Sequence, residues 1–444
     1  MPFSALQSEL NERASLGLLR QRSMLQSPQA PHIMVDDKSY LSFCSNDYLG
    51  LANHPQLIAA LQQGAQQHGV GAGAAHLVNG HNATHHQLEN ELAAFVSKPA
   101  ALLFSTGYMA NLGVVQALVG KGDTVFADKL NHASLNDAMQ LSRATVKRYR
   151  HNDMTQLAKL LKQANGHGKD AVPDVESRHA RFPDGTTSHS TRIPKDGNQV
   201  AGYLSSSPPE GERDRVSLRE SHVKCGRKLV ITDAVFSMDG DLAPLPELLV
   251  LCEQHDAWLL IDDAHGFGVL GEQGRGSLAH FGIASKRVIC MATLGKAAGV
   301  FGAFVAAEQV VIDTLINHAR SYVYTTATPP ALASALLESL RLIANGDELR
   351  DHLQRLIAQL RSGLRSLPWS VMPSATAIQP LLVGGNQAAL NLSDGLRERG
   401  IWVAAIRPPT VPQGTARLRI TLSAAHRAAD VTRLIESLHE LAQR

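Results

Sequence analysis

The sequence predicts an α/β fold, with a mostly parallel central sheet, helices on both of its faces, and a smaller α+β C-terminal domain. Three observations carry this. From residue 100 onward, short and nearly continuous apolar runs alternate with helical patterns, as strands buried on both faces do. Several of those runs end in polar or glycine-bearing turns, and ligands of such sheets collect outside the carboxyl ends of the strands. After Pro329-Pro330 the pattern changes to long amphipathic helices and three further strands. The expected division is 1–50 (N-terminal helix and arm), 51–330 (large domain) and 331–444 (small domain).

In chain order, residues 4–23 read as an amphipathic helix and 41–44 as a short strand leading into Ser45-Asn46-Asp47-Tyr48-Leu49-Gly50. A helix over 54–68 precedes the small-residue loop 69–75. His76, His81, His85 and His86 follow, with His85 opening a helix over 85–96. Their spacing is loose and no Cys or acidic ligand set accompanies them, so no metal is assigned. A strand over 101–104 turns through Ser105-Thr106-Gly107-Tyr108 into a helix over 108–119. Free N–H groups at such a helix start make a seat for phosphate, although a plain tight turn has the same sequence. The strand 124–127 leads to Asn131-His132-Ala133-Ser134, where His132 could stack on a flat cofactor or merely open the next helix. A strand over 145–149 precedes a helix capped by Asp153.

Residues 165–226 break the alternation. They are rich in Gly, Pro, Ser, Asp and Arg with no sustained apolar period, which predicts a disordered insertion. The pattern resumes with a strand over 229–232, the turn Asp233-Ala234-Val235-Phe236-Ser237-Met238-Asp239-Gly240, and a helix over 245–255. Strands ending at Asp262, over 288–292 and over 303–306 follow, then helices over 331–344 and 347–366. Strands near 378–383, 401–406 and 416–422 complete the chain. Arg407 and Arg419 lie in this last part, where a forked guanidinium suits a carboxylate or an ordinary surface ion pair.

Two strand ends carry the chemistry. Lys296 sits in a small-residue turn, Thr293-Leu294-Gly295-Lys296-Ala297-Ala298-Gly299, that lacks the Ser/Thr and glycine spacing of a nucleotide loop. Once desolvated, its amine is a nucleophile toward carbonyls. Asp262 ends another apolar run, where it can either cap a turn or keep a ring nitrogen protonated. Lysine and aspartate at two strand ends of one sheet make pyridoxal 5'-phosphate (PLP) the better reading. Gly107, His132, Ser237, Asp262, His265, Thr293 and Lys296 all follow strands and are expected on one edge.

Composition narrows the partners. Forty-two Lys and Arg against 40 Asp and Glu leave a net charge of +2, with no long basic run, so nucleic acid is not indicated. Cys44, Cys225, Cys252 and Cys290 are scattered without a CxxC pair. The first 23 residues lack an apolar signal core and no apolar run reaches 18 residues, which makes a cytoplasmic protein without membrane spans the expectation.

With these residues assembled, the chain resembles the α-oxoamine synthase family of PLP-dependent transferases of fold type I. The matching stretches are Ser45 to Leu51, Phe104 to Tyr108, Val235 to Asp241, Asp262 to Gly266 and Thr293 to Lys296. A C-terminal run, Ala405-Ile406-Arg407-Pro408-Pro409-Thr410-Val411-Pro412, continues to Arg417-Leu418-Arg419. This run resembles members that join L-alanine to a pimeloyl thioester in biotin synthesis, rather than those using glycine or serine. Residues 165–226 are not part of the family's pattern, and the loop 71–76 carries less Gly and Ser than usual.

The resemblance implies the following roles. Lys296 would hold PLP covalently and act as acid and base, Asp262 would pair with the pyridine nitrogen, His265 with the ring hydroxyl, and His132 would stack on the ring and face substrate. Gly107, Tyr108, Ser237 and Thr293 would contact the phosphate or ring substituents. The active site would be shared across a homodimer, with Thr325 or Thr326 reaching the partner's phosphate. Arg419 would bind the amino-acid carboxylate, with Asn46 also on the substrate side. Arg20, Thr410 and Arg407 would serve the acyl substrate, carried by coenzyme A or acyl carrier protein. The alternatives are a relative using glycine or serine with another thioester, and a cofactor-binding regulator that has lost turnover.

Overall fold

The computed structural model describes residues 2–166 and 226–443, so the insertion expected over 165–226 lies, its ends apart, outside the described residues. The chain opens with α1 (Ser4–Ser15), β1 (His32–Val35), β2 (Lys38–Ser42) and α2 (Pro55–His68). There follow α3 (Ala83–Phe95), β3 (Ala100–Phe104), α4 (Gly107–Leu118), β4 (Thr124–Asp128), α5 (Ala133–Ser142), β5 (Thr145–Tyr149) and α6 (Met154–Gly166). Beyond residue 226 come β6 (Lys228–Asp233), α7 (Leu245–Gln254), β7 (Trp258–Asp262), the short α8 (Ser277–His280) and β8 (Val288–Thr293). Next are β9 (Ala303–Ala307), α9 (Gln309–His318), the short α10 (Arg320–Val323), α11 (Pro330–Ala344) and α12 (Asp347–Gly363). The chain closes with β10 (Ser370–Val371), β11 (Ile378–Gly384), α13 (Asn386–Glu398), β12 (Ile401–Trp402), β13 (Ala404–Ile406), β14 (Ala416–Thr421) and α14 (Ala428–Ala442).

Seven strands form the main sheet in the order β3-β9-β8-β7-β6-β4-β5. Only β9 runs against its neighbours, and the run from β8 to β5 pairs in parallel. Alternate residues of each strand face opposite layers. Val125, Leu229, Ile231 and Leu260 pack with Val114 and Val115 of α4 and Leu135 and Met139 of α5. Phe126, Val230, Leu259 and Ile261 pack with Leu157 and Leu161 of α6 and Leu245 and Leu248 of α7. Burial on both faces is why these strands read as continuous apolar runs. The β6–β7 register sets Asp233 opposite Asp262, and the β7–β8 register sets Asp262 opposite Met291, so the strand ends open together.

Three expectations change. The first helix stops at Ser15, short of residue 23. Gly17, at φ +64°, takes the left-handed turn that ends helices, and no residue of α1 is buried to hold it further. The run 401–406 is not one strand: β12 pairs in parallel with β2 of the N-terminal arm, while β13 pairs with β14 in the antiparallel sheet β10-β11-β14-β13. Buried Val403 is the crossing point between the two sheets. Finally, His85 does not open α3 but sits in its first turn. Asn82 caps the helix by accepting the Thr84 N–H at 2.9 Å, and His85 Nδ1 accepts the Asn82 N–H at 3.0 Å. No helix among the described residues is long and apolar enough to cross a membrane.

Candidate active site

All seven strand-end residues (Gly107, His132, Ser237, Asp262, His265, Thr293 and Lys296) line one cavity of about 210 Å³ at the carboxyl edge of the main sheet. Lys296 Nζ lies 2.8 Å from His265 Nε2. Burial, with the Arg419 cation adding to it against the opposing charge of Asp262, brings its amine down to about 8. His265 Nδ1 lies 2.5 Å from the Tyr48 hydroxyl. Burial first, then the Lys296 charge, holds the His265 imidazole well below its ordinary range, so the ring is neutral. A neutral ring has one N–H, which either faces Lys296 while Tyr48 donates to Nδ1, or faces Tyr48 while Lys296 donates to Nε2. The chain Lys296–His265–Tyr48 therefore has two proton arrangements and can follow a lysine that gains and loses a proton.

Asp262 is fixed from two sides. Its Oδ2 accepts from Asn111 Nδ2 at 2.8 Å and its Oδ1 from the Ala264 N–H at 3.0 Å. His132 caps α5, where its Nδ1 lies 2.7 Å from Ser134 Oγ, and it lines the cavity. At the start of α4, Thr106 Oγ1 takes the Met109 N–H at 3.2 Å, and the N–H groups of Gly107 and Tyr108 have no partner within the helix. The Tyr108 hydroxyl donates to Asp137. Thr293 Oγ1 donates to the Gly302 carbonyl at 3.1 Å.

A second, wider cavity of about 790 Å³ adjoins the first and shares His132, Ser237, His265 and Lys296 with it. Arg419 lines it, only 7% exposed. Its guanidinium donates to the Ser237 carbonyl at 2.7 Å, to Asn46 Oδ1 at 3.1 Å and to Thr421 Oγ1 at 3.0 Å. No carboxylate among the described residues forms an ion pair with it, whereas Arg417, two residues earlier, pairs with Asp239. A buried cation without an anion is what an incoming carboxylate would satisfy. Asn46 thus aligns Arg419 as well as lining the cavity. Arg20 and Thr410 line the same cavity, with Arg20 Nη2 3.4 Å from Thr410 Oγ1. Arg407 donates to the Gly17 carbonyl and lies in a neighbouring cavity of about 340 Å³ that Arg20 and Thr410 also line.

Thr325 and Thr326 line none of these cavities in this chain. They precede Ala327, whose N–H donates to the Ala74 carbonyl at 2.9 Å, and Thr328, whose carbonyl lies 2.8 Å from His85 Nε2. The fold gathers the histidines that look scattered in sequence: ligand atoms of His76, His81 and His85, and of His81, His86 and Glu89, lie within 4.8 Å of one another. His85 already commits both ring nitrogens, to Asn82 and Thr328.

Four site residues escaped the sequence reading. Asp233 carries the same signal as Asp262, an acid ending an apolar run. Asn111 and Ser134 lie one helical turn inside α4 and in the first turn of α5, where a polar residue reads as a solvated face. Tyr48 stands in a quoted motif, but its reach to His265 is visible only in the fold. PLP fits this donor set: a lysine amine, a fixed carboxylate, an imidazole and free helix-start N–H groups around one cavity.

Residues 38–438 match the family model of class I and II aminotransferases. The 8-amino-7-oxononanoate synthase of Nitrosospira multiformis is 55% identical, over 98% of this chain and 95% of that protein. Its namesake in Nitrosomonas europaea is 53% identical, over 99% of both. These matches run through positions 165–226, so the relatives are long enough to carry a comparable stretch. Among solved structures, serine palmitoyltransferase of Sphingomonas wittichii aligns with a TM-score of 0.81 at 27% identity, over 99% of this chain and 97% of that one. The 8-amino-7-oxononanoate synthase of Francisella tularensis aligns with a TM-score of 0.69 at 27% identity, over 91% and 98%. The chain belongs to the class I and II aminotransferase family and, within it, to the 8-amino-7-oxononanoate synthases.

Proposed function

We propose that the 210 Å³ cavity holds PLP and the 790 Å³ cavity receives the acyl chain, with the residues dividing the work as follows. The reaction itself comes with the family, to a named member of which this chain is 55% identical. L-alanine condenses with a pimeloyl thioester, losing carbon dioxide and releasing the carrier thiol, to give 8-amino-7-oxononanoate for biotin synthesis. The observation that carries the assignment is Lys296, brought down to about 8 and 2.8 Å from His265 beside the fixed carboxylate of Asp262.

PLP, when bound, supplies the electron sink for charge developing at the amino-acid α-carbon. Lys296 binds it and takes the α-proton of alanine, later returning a proton to the product carbon. His265 and Tyr48 adjust their protons behind Lys296, and His265 also faces the ring hydroxyl. Asp262 holds the pyridine proton, His132 covers the ring, and Gly107, Tyr108, Ser237 and Thr293 take the phosphate and ring substituents. Arg419, aligned by Asn46, takes the carboxylate of alanine. Arg20 and Thr410 hold the acyl substrate, with Arg407 behind them. Two chains share the site, Thr325 or Thr326 of one reaching the phosphate bound by the other. The acyl carrier is coenzyme A or acyl carrier protein, and the enzyme works in the cytoplasm.

The serine palmitoyltransferase neighbours keep a second amino acid in view, but at 27% identity against 55% they favour the fold more than the substrate. Mass spectrometry of the product from L-alanine and a pimeloyl thioester tests the proposal. The expected product is 8-amino-7-oxononanoate; turnover only with serine or glycine would overturn it.

A further inference from the structure

Asp233 ends β6 directly opposite Asp262, and both residues line the cavity. It is 4% exposed. Its Oδ2 accepts the backbone N–H of His132 at 3.0 Å, while its Oδ1 is buried with no hydrogen-bond partner among the described residues. A bare carboxylate oxygen there would be buried charge without a donor, whereas a protonated oxygen is a donor awaiting an acceptor. Two carboxylates on neighbouring strand ends cannot both ionise cheaply, so the pair retains a proton. Asp262 has two donors, Asn111 and Ala264, against one for Asp233, so the negative charge settles on Asp262.

We propose that Asp233 works as an uncharged carboxylic acid, which ties His132 in place through Oδ2 and leaves the negative charge at this edge of the sheet to Asp262. This rests on PLP occupying the cavity. The groups that face Asp233 are Asp262 from β7, Asp128 from β4, Lys296 from the turn after β8, and the His132 N–H. Burial is the largest influence and raises its carboxyl well above the usual range; Asp262 and Asp128 push the same way, and the His132 N–H and Lys296 oppose. An ionised Asp233 would instead hold the Lys296 ammonium protonated, against its work as a base.

Infrared difference spectroscopy of the PLP-loaded enzyme at pH 7, wild type minus Asp233→Asn, tests this. The expected result is a carboxylic-acid C=O band present in the wild type and absent from the variant. PLP affinity should stay within about threefold in Asp233→Asn, since an amide keeps the acceptor that ties His132, and fall by roughly tenfold or more in Asp233→Ala, which releases it. Loss of ionised-carboxylate bands instead, with no acid band, overturns the proposal. Should Asp233→Asn not fold, Asp262→Asn serves: with the repelling charge gone, the acid band must disappear at lower pH than in the wild type, and an unmoved midpoint overturns the pairing. A wild type that binds no PLP would defeat the cofactor assignment itself, a separate outcome from a missing band in the loaded enzyme.

Discussion

Lys296 shows how single residues are tuned by what surrounds them. A solvated lysine titrates near 10.4, while burial beside Arg419 brings this one to about 8. In the PLP-free protein, labelling of Lys296 by an amine-reactive anhydride should rise with pH around a midpoint near 8. A midpoint above 10 would contradict the desolvated environment. Arg419 and Arg20 separate the two substrates. Arg419→Ala removes one charge-assisted pair, about 1.5–3 kcal/mol, and should raise the KM for L-alanine roughly ten- to hundredfold with little change for the thioester. Arg20→Ala should do the reverse, and steady-state kinetics with each substrate varied in turn would show equal effects if the division is wrong. At this scale the sequence was legible only in part. Arg417 and Arg419 share one strand face, and only the fold reveals that Asp239 neutralises the former while the latter has no ion pair among the described residues.

Elements hold those residues at the sheet edge, and the turn from β5 into α6 is one such brace. His151 lies 3.2 Å from Asp128 Oδ1 and 2.8 Å from Asp241 Oδ2, tying the end of β4 to the turn that carries Ser237. Burial alone would lower its imidazole, but the bonds to the two carboxylates raise it to about 10. A group raised in the folded state stabilises fully below its unfolded value, near 6.5, and loses that contribution as pH rises toward the folded value. The stability lost in His151→Gln, measured by urea denaturation, should therefore be largest at pH 6 and shrink by pH 10. A pH-independent difference would show that His151 is not charged there. Strands such as β6 and β7 were legible because burial on both faces forces apolar runs. The end of α1 and the split of 401–406 were not. A glycine that stops a helix can also sit within one, and the crossing at Val403 depends on pairing with β2, some 360 positions away (401 − 41).

The whole molecule places its chemistry at one edge of the main sheet and leaves the opposite edge to connections. Lys228 Nζ donates to Asn165 Oδ1 at 2.6 Å, so the two ends flanking the long stretch meet. From Lys228 to the cavity-lining Asp233, β6 runs six residues, about 17 Å at strand spacing. Replacing residues 168–224 with a short Gly/Ser linker should keep kcat within a few-fold, because a short turn can close that gap. A deletion protein that binds PLP but does not turn over would give the stretch a catalytic role. The alternation of elements was legible where strands such as β6, β7 and β8 are buried on both faces; that Asn111 lines the cavity and that Tyr48 reaches His265 was not, since nothing local distinguishes them from structural polar residues. The central claim is that Lys296 holds the cofactor in this cavity, and the measurement is peptide mapping after borohydride reduction of the PLP-loaded enzyme. The label is expected on the peptide containing Lys296; a label on any other lysine would contradict the account.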